Sequence, residues 1–135
     1  MVYVLTVPKE VFRPGEPIPL TLKFDNRSGR PVTIWSSGFW PNHRVVVMDE
    51  RGEEAPLTDI GKERRDLFAP GGARDKNAPR VLSAGETYRE GLDLDVTRLY
   101  RLGPGRYHVQ VTYHDIQGPT PLRVTSNAAA FEIKE

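Results

Sequence analysis

The sequence predicts an all-β protein, an antiparallel sandwich of about seven strands with one long inserted loop, and three observations carry that reading. Short runs alternate apolar and polar residues with period two. No run of about 12 residues or more holds apolar positions at helical spacing. Glycine and proline, twelve each, punctuate the chain at intervals of about ten residues, as short antiparallel strands require. At 135 residues the chain has the length of one domain, so residues 1–135 are read as a single unit.

The first strand is expected over Tyr3 to Val7. Next comes the alternating set Ile18, Leu20, Leu22, Phe24 against Pro19, Thr21, Lys23, Asp25, where Pro19 marks an edge or a bulge because it cannot donate to a ladder. Asn26-Arg27-Ser28-Gly29 then reads as a turn, with Pro31 to Trp35 as the hairpin partner and Trp35 as a core residue. Arg44 to Met48 is a strand ending in a turn at Arg51-Gly52, and Thr87 to Leu94 is another. The cleanest is Tyr107, Val109, Val111, Tyr113 inside with His108, Gln110, Thr112, His114 outside. The last lies near Ala129, Phe131, Ile133. Two short segments, Arg13-Pro14-Gly15-Glu16 and Ser83-Ala84-Gly85-Glu86, each precede an alternating run and are expected to turn through a glycine at positive φ. The strand number, turn spacing and length suit an immunoglobulin-like arrangement.

Residues 58–79 break the pattern, because about twenty residues without a strand signal exceed an ordinary connection. Asp59 to Phe68 is expected to hold one or two helical turns, with Asp59 as cap and Ile60, Leu67 and Phe68 folded back on the sandwich. A second helical turn is expected at Asp95 to Tyr100, capped by Asp95.

The stretch Leu92 to Val109 contains Leu102-Gly103-Pro104-Gly105-Arg106-Tyr107, which resembles the link between two late strands of fibronectin type III and other immunoglobulin-like modules. The resemblance implies that Tyr107 closes the corner by a hydrogen bond to the backbone upstream. Taken with the Pro-Gly-Glu turn, the Asn-Arg-Ser-Gly turn, the aromatic third strand and the Val-x-Val-x-Asp strand before a Gly turn, the chain is similar over residues 12–114 to small bacterial β-sandwiches related to the BsuPI-type intracellular proteinase inhibitors. That similarity implies an inhibitory loop, for which Ala69 to Ala73 is the candidate.

Composition narrows the function. Nineteen Lys and Arg against eighteen Asp and Glu leave a formal charge of +1, so no global field favours nucleic acid or an anionic membrane. No apolar stretch approaches the roughly 20 residues that cross a bilayer. Without cysteine there is no thiolate metal site and no cysteine nucleophile, and the redox compartment leaves no mark on the sequence. His108 and His114 share a strand face but stand roughly 20 Å apart, too far to bind one ion. Asp93, Asp95 and Asp115 lack EF-hand spacing. No nucleophile elbow or phosphate loop is present, so neither catalysis nor a cofactor is expected.

What remains is binding. Phe39 and Trp40 lie between Gly38 and Pro41 in a loop reading, followed by His43, and Arg64, Arg65, Phe68 and Arg74 fall in the long insertion. Loop aromatics beside arginines make anchors for a protein partner, which is the leading expectation. A proteinase inhibitor is one alternative. A carbohydrate-binding module stacking a sugar on Trp40 is the other.

Overall fold

The computed structural model describes residues 1–35, 39–69, 79–90, 94–116 and 121–135. These residues form eleven strands and two short helices. The first sheet joins β1 (Val2–Thr6), β3 (Pro19–Asp25) and β7 (Thr87–Arg89), with β8 (Leu94–Asp95) also on β3. In the second, β9 (Gly105–Asp115) pairs along one side with β5 (His43–Asp49) and along the other with β11 (Ala129–Ile133) and β10 (Leu122–Thr125). There β2 (Val11–Phe12) lies parallel on β11. A separate pair joins β4 (Val32–Trp35) to β6 (Pro79–Leu82). The helices are α1 (Asp59–Asp66) and α2 (Val96–Leu99).

Alternation decides which side chains meet. In β3, Leu20, Leu22 and Phe24 are buried while Pro19 and Lys23 are exposed. In β9, Val109, Val111 and Tyr113 are buried. Together with Tyr3 and Leu5, Val45 and Val47, and Phe131 and Ile133, they form one hydrophobic cluster between the two larger sheets. Tyr3 stacks on its cross-strand partner Phe24 at 4.3 Å, and the edge of Phe24 meets Tyr113 of the other sheet at 5.1 Å. Below the rings, the Tyr113 hydroxyl accepts from the Trp35 backbone N–H at 2.8 Å and donates to buried Asp115. Burial and the Asp115 carboxylate raise the pKa of that phenol, which keeps it a donor.

The two glycine turns form as expected. Gly15 and Gly85 sit at φ +81° and +80°. In each turn the glutamate N–H bonds back to the carbonyl three residues earlier, while its carboxylate accepts that residue's N–H. Only a residue without Cβ takes this conformation without strain.

Several expectations are corrected. Pro31 to Trp35 does not pair with β3, whose two edges are taken by β1 and by β7 and β8. Buried Asn26 redirects the chain: its amide donates to the carbonyls of Arg30, Leu82 and Ser83, and its carbonyl accepts from Ser28, so the turn is fastened to the start of the next segment and β4 pairs with β6. In β4 the buried residue is Ile34, and Trp35, on the opposite face, is only half-buried. Pro19, by contrast, behaves as expected: it heads its strand, paired with Asp95 on one side while the pairing with β1 stops at Thr21. Thr87 to Leu94 becomes two strands along the same edge of β3, with residues 91–93 outside the described residues. Strands β2, β6 and β10 carry no alternation long enough to predict. Tyr107 is half-buried rather than core, although its hydroxyl does donate to the Gly103 carbonyl at 2.8 Å, the corner bond the resemblance implies.

Candidate functional site

The N-cap of α1 is Thr58, not Asp59. Thr58 is extended (φ −73°, ψ 172°), its hydroxyl accepts the Gly61 N–H at 3.0 Å and donates to the Arg98 carbonyl at 2.6 Å, and its N–H bonds the Leu99 carbonyl. One side chain therefore caps α1 and ties it to α2. Gly61 is the residue α1 buries: a Cβ there would stand 2.0 Å from the Leu99 carbonyl oxygen and 2.9 Å from Leu57 Cδ2. The helix docks by backbone at Gly61, and helical spacing carries Ile60 and Leu67 to one side of that contact. Both stay exposed, at 42 % and 43 % of their surface, which corrects their expected burial. Phe68 is half-buried at the end of the helix.

Arg65 lies one turn beyond Gly61 on the docked face. Its Nη2 donates to the Val45 carbonyl at 3.2 Å, to the Tyr100 hydroxyl at 2.9 Å and to the Glu54 carboxylate, on which Tyr100 also donates at 2.6 Å. Burial pushes the Glu54 carboxyl up, but the hydrogen bonds from Arg65 and Tyr100 and the charges of Arg65 and Arg44 outweigh it and leave the pKa lowered. Burial, then the bond to Glu54, holds the Tyr100 phenol well above its ordinary value. Arg65 is thus a clamp on α1 rather than a free cation.

Phe39 and Trp40 begin a turn in which the Asn42 N–H meets the Phe39 carbonyl and the His43 N–H meets that of Trp40. His43 is 3 % exposed, which removes it from the expected surface. It stacks on Phe39 (3.8 Å between centroids, 7° between planes). The Phe39 carbonyl can only accept, so His43 Nδ1 carries a hydrogen toward it at 2.6 Å. Nε2 faces Glu90 Oε1 at 2.9 Å, and Tyr3 donates to the same oxygen at 3.0 Å. Both ring nitrogens are occupied inside the core, which leaves His43 no free edge for a ligand.

The ring of Trp40 stands edge-on to Phe39 at 4.9 Å, with the Arg64 guanidinium 6.0 Å from its centroid. On that face of Trp40 a stacking sugar would have to displace the arginine. The Ala69 N–H bonds the Pro41 carbonyl, fastening the end of α1 to this turn. The candidate binding residue Arg74 lies outside the described residues, as do Pro70 to Ala73 of the candidate inhibitory segment and Asp93.

The structure therefore brings Trp40, His43, Arg64 and Arg65 to the wall of one crevice between α1, β5 and Leu99-Tyr100, with Arg44 and Gly61. Its enclosed space is about 10 Å³, room for one water-sized atom and not for a cofactor. Sequence reasoning missed Arg44, Glu54 and Tyr100, which come together only through the fold. It also missed the exposure of Ile60 and Leu67, for which Gly61 at the core-facing helical position is the available signal. Among the described residues no three His, Asp or Glu side chains gather to hold a metal, and no helix is long and apolar enough to cross a membrane. No protein-family model and no curated protein matches the chain.

Proposed function

We propose that this protein is a non-catalytic binding module, an immunoglobulin-like β-sandwich that docks another protein against the side of α1. The observation that carries the reading is the exposed pair Ile60 and Leu67 on a helix whose docked face is a glycine. Seven residues apart, they share a stripe, with Arg64 between them leaning over Trp40. Ile60 and Leu67 leave 42 % and 43 % of their surface in water on a helix already held by its backbone and by Arg65. On a rigid support they are ready-made anchors for a partner. The corner bond from Tyr107 to Gly103 supports the immunoglobulin-like part of the reading.

Photo-crosslinking tests it. A photoreactive residue at position 60 or 67 should form adducts with another protein in extracts of the cells that make this one, and the same residue at exposed Arg123 on β10 should not. Equal adduct yields at all three positions, or none at 60 and 67, would overturn the docking surface.

A further inference from the structure

We infer that the crevice between α1 and β5 receives an acidic side chain of the protein partner, so that the partner presents a carboxylate flanked by apolar residues. This rests on the docking surface proposed above. Three arginines line the crevice, Arg44 from β5 and Arg64 and Arg65 from α1. Among the described residues one carboxylate, that of Glu54, is salt-bridged to any of them, through Arg65. Three guanidinium groups against two carboxylates, that of Glu54 and that of Glu90 behind His43, still leave a local excess of positive charge on a protein whose overall charge is only +1. Gathering like charges costs free energy that an incoming anion recovers. The acidic residues of α1 stand across the helix from the crevice, since Asp59, Glu63 and Asp66 lie opposite Gly61 and Arg65, although Glu63 borders the Ile60 and Leu67 stripe.

Size and surroundings set the ligand. About 10 Å³ accepts one carboxylate oxygen and excludes a bulky group, so only the tip of a side chain enters and its chain lies across the mouth. There it meets the Trp40 ring, with Ile60 and Leu67 along the same side of α1. Arg64 is half-buried, held toward Trp40 rather than swinging in solvent, which pre-orients its donors for a carboxylate.

Random peptides displayed on phage and selected at low salt on the full chain read out this chemistry. The expected winners carry Asp or Glu close to Leu, Ile or Phe. Synthesised and titrated by tryptophan fluorescence, they should weaken about tenfold with Arg64→Gln or Arg44→Gln, about tenfold when the acid becomes its amide, and little further when both changes are combined. Exposed Lys62→Gln serves as control, and unchanged unfolding midpoints show that the variants fold. Selected peptides without acidic residues, indifferent to Arg64→Gln, would overturn the acidic partner while leaving the docking surface intact. Binding of inorganic phosphate with no selected peptide would assign the crevice to a free oxyanion and overturn it too. No binding by either probe also overturns it, with the cross-linking at positions 60 and 67 deciding the docking surface separately.

Discussion

Where β3 faces β9, Leu22 and Phe24 meet Val111 and Tyr113 through side chains alone, and any apolar residue of similar volume could in principle stand in. Where α1 meets α2 and β5, the contact is made by a missing Cβ, a threonine cap and an arginine whose three acceptors are Val45, Glu54 and Tyr100. The first region is tolerant in chemistry and demanding in volume. The second is the reverse: little apolar area is buried, yet each polar group has one geometry that satisfies it. Two regions of one small protein thus hold together by different rules, and the proposed docking surface sits on the one that specifies position most narrowly.

Truncation in the core should show the largest effect. Phe24→Ala removes a ring stacked on Tyr3 and edge-packed on Tyr113, and should cost about 3 to 5 kcal/mol in urea unfolding. A loss below about 1 kcal/mol would mean that the two sheets do not share this core. Gly61→Ala breaks the other region. Alanine favours helix over glycine by up to about 1 kcal/mol, but its Cβ would stand 2.0 Å from a backbone oxygen that cannot rotate away. The clash should win, at about 2 to 3 kcal/mol, and hydrogen exchange should show α1 loosened while β9 stays protected. A stabilised Gly61→Ala would show that α1 does not dock as closely as its glycine allows.

This contrast also explains what the sequence makes legible. Period-two alternation in β3 and β9 reports the core directly, since every second side chain must leave water. Gly15 and Gly85 report their turns because positive φ selects glycine. Nothing local shows that Asn26 bonds to Leu82 and Ser83, so the sequence does not reveal the partner of β4. The clamp is hidden for the same reason: Glu54, Arg65 and Tyr100 are 11 and 35 residues apart along the chain and acquire meaning only in three dimensions. His43 read as surface because a polar ring in a loop-like stretch gives no sign of Phe39 stacked upon it. Trp40 and the pair Arg64 and Arg65, far apart in the sequence, line one crevice in the fold, although Arg65 is spent on the helix itself.

The clamp should reveal itself by its pH dependence. The folded-state pKa of Glu54 is lowered, so its contribution to stability is present above the ordinary glutamate pKa and is lost as pH falls through the folded value. Glu54→Gln should therefore flatten the acid limb of the stability curve below about pH 4.5, and near neutrality should cost about 1 to 2 kcal/mol, reduced from the buried-pair value because solvent reaches the carboxylate. An acid limb identical to that of the parent protein would mean that Arg65 is held without Glu54.

The smallest effect is the most discriminating, because it compares two phenol hydroxyls. Tyr107 donates to the Gly103 carbonyl at the surface, where water replaces the lost bond in Tyr107→Phe, and the expected cost is at most about 1 kcal/mol. Tyr100 donates within the clamp, where its hydroxyl is shared by Glu54 and Val45 and accepts from Arg65. Tyr100→Phe leaves those groups short of a partner in a crevice with room for about one water, so it should cost more than Tyr107→Phe by about 1 kcal/mol. Unfolding midpoints of the two variants, measured side by side, decide the matter. If they coincide, a water has entered the crevice and taken over the hydroxyl's role, and the polar region is more forgiving than its geometry implies.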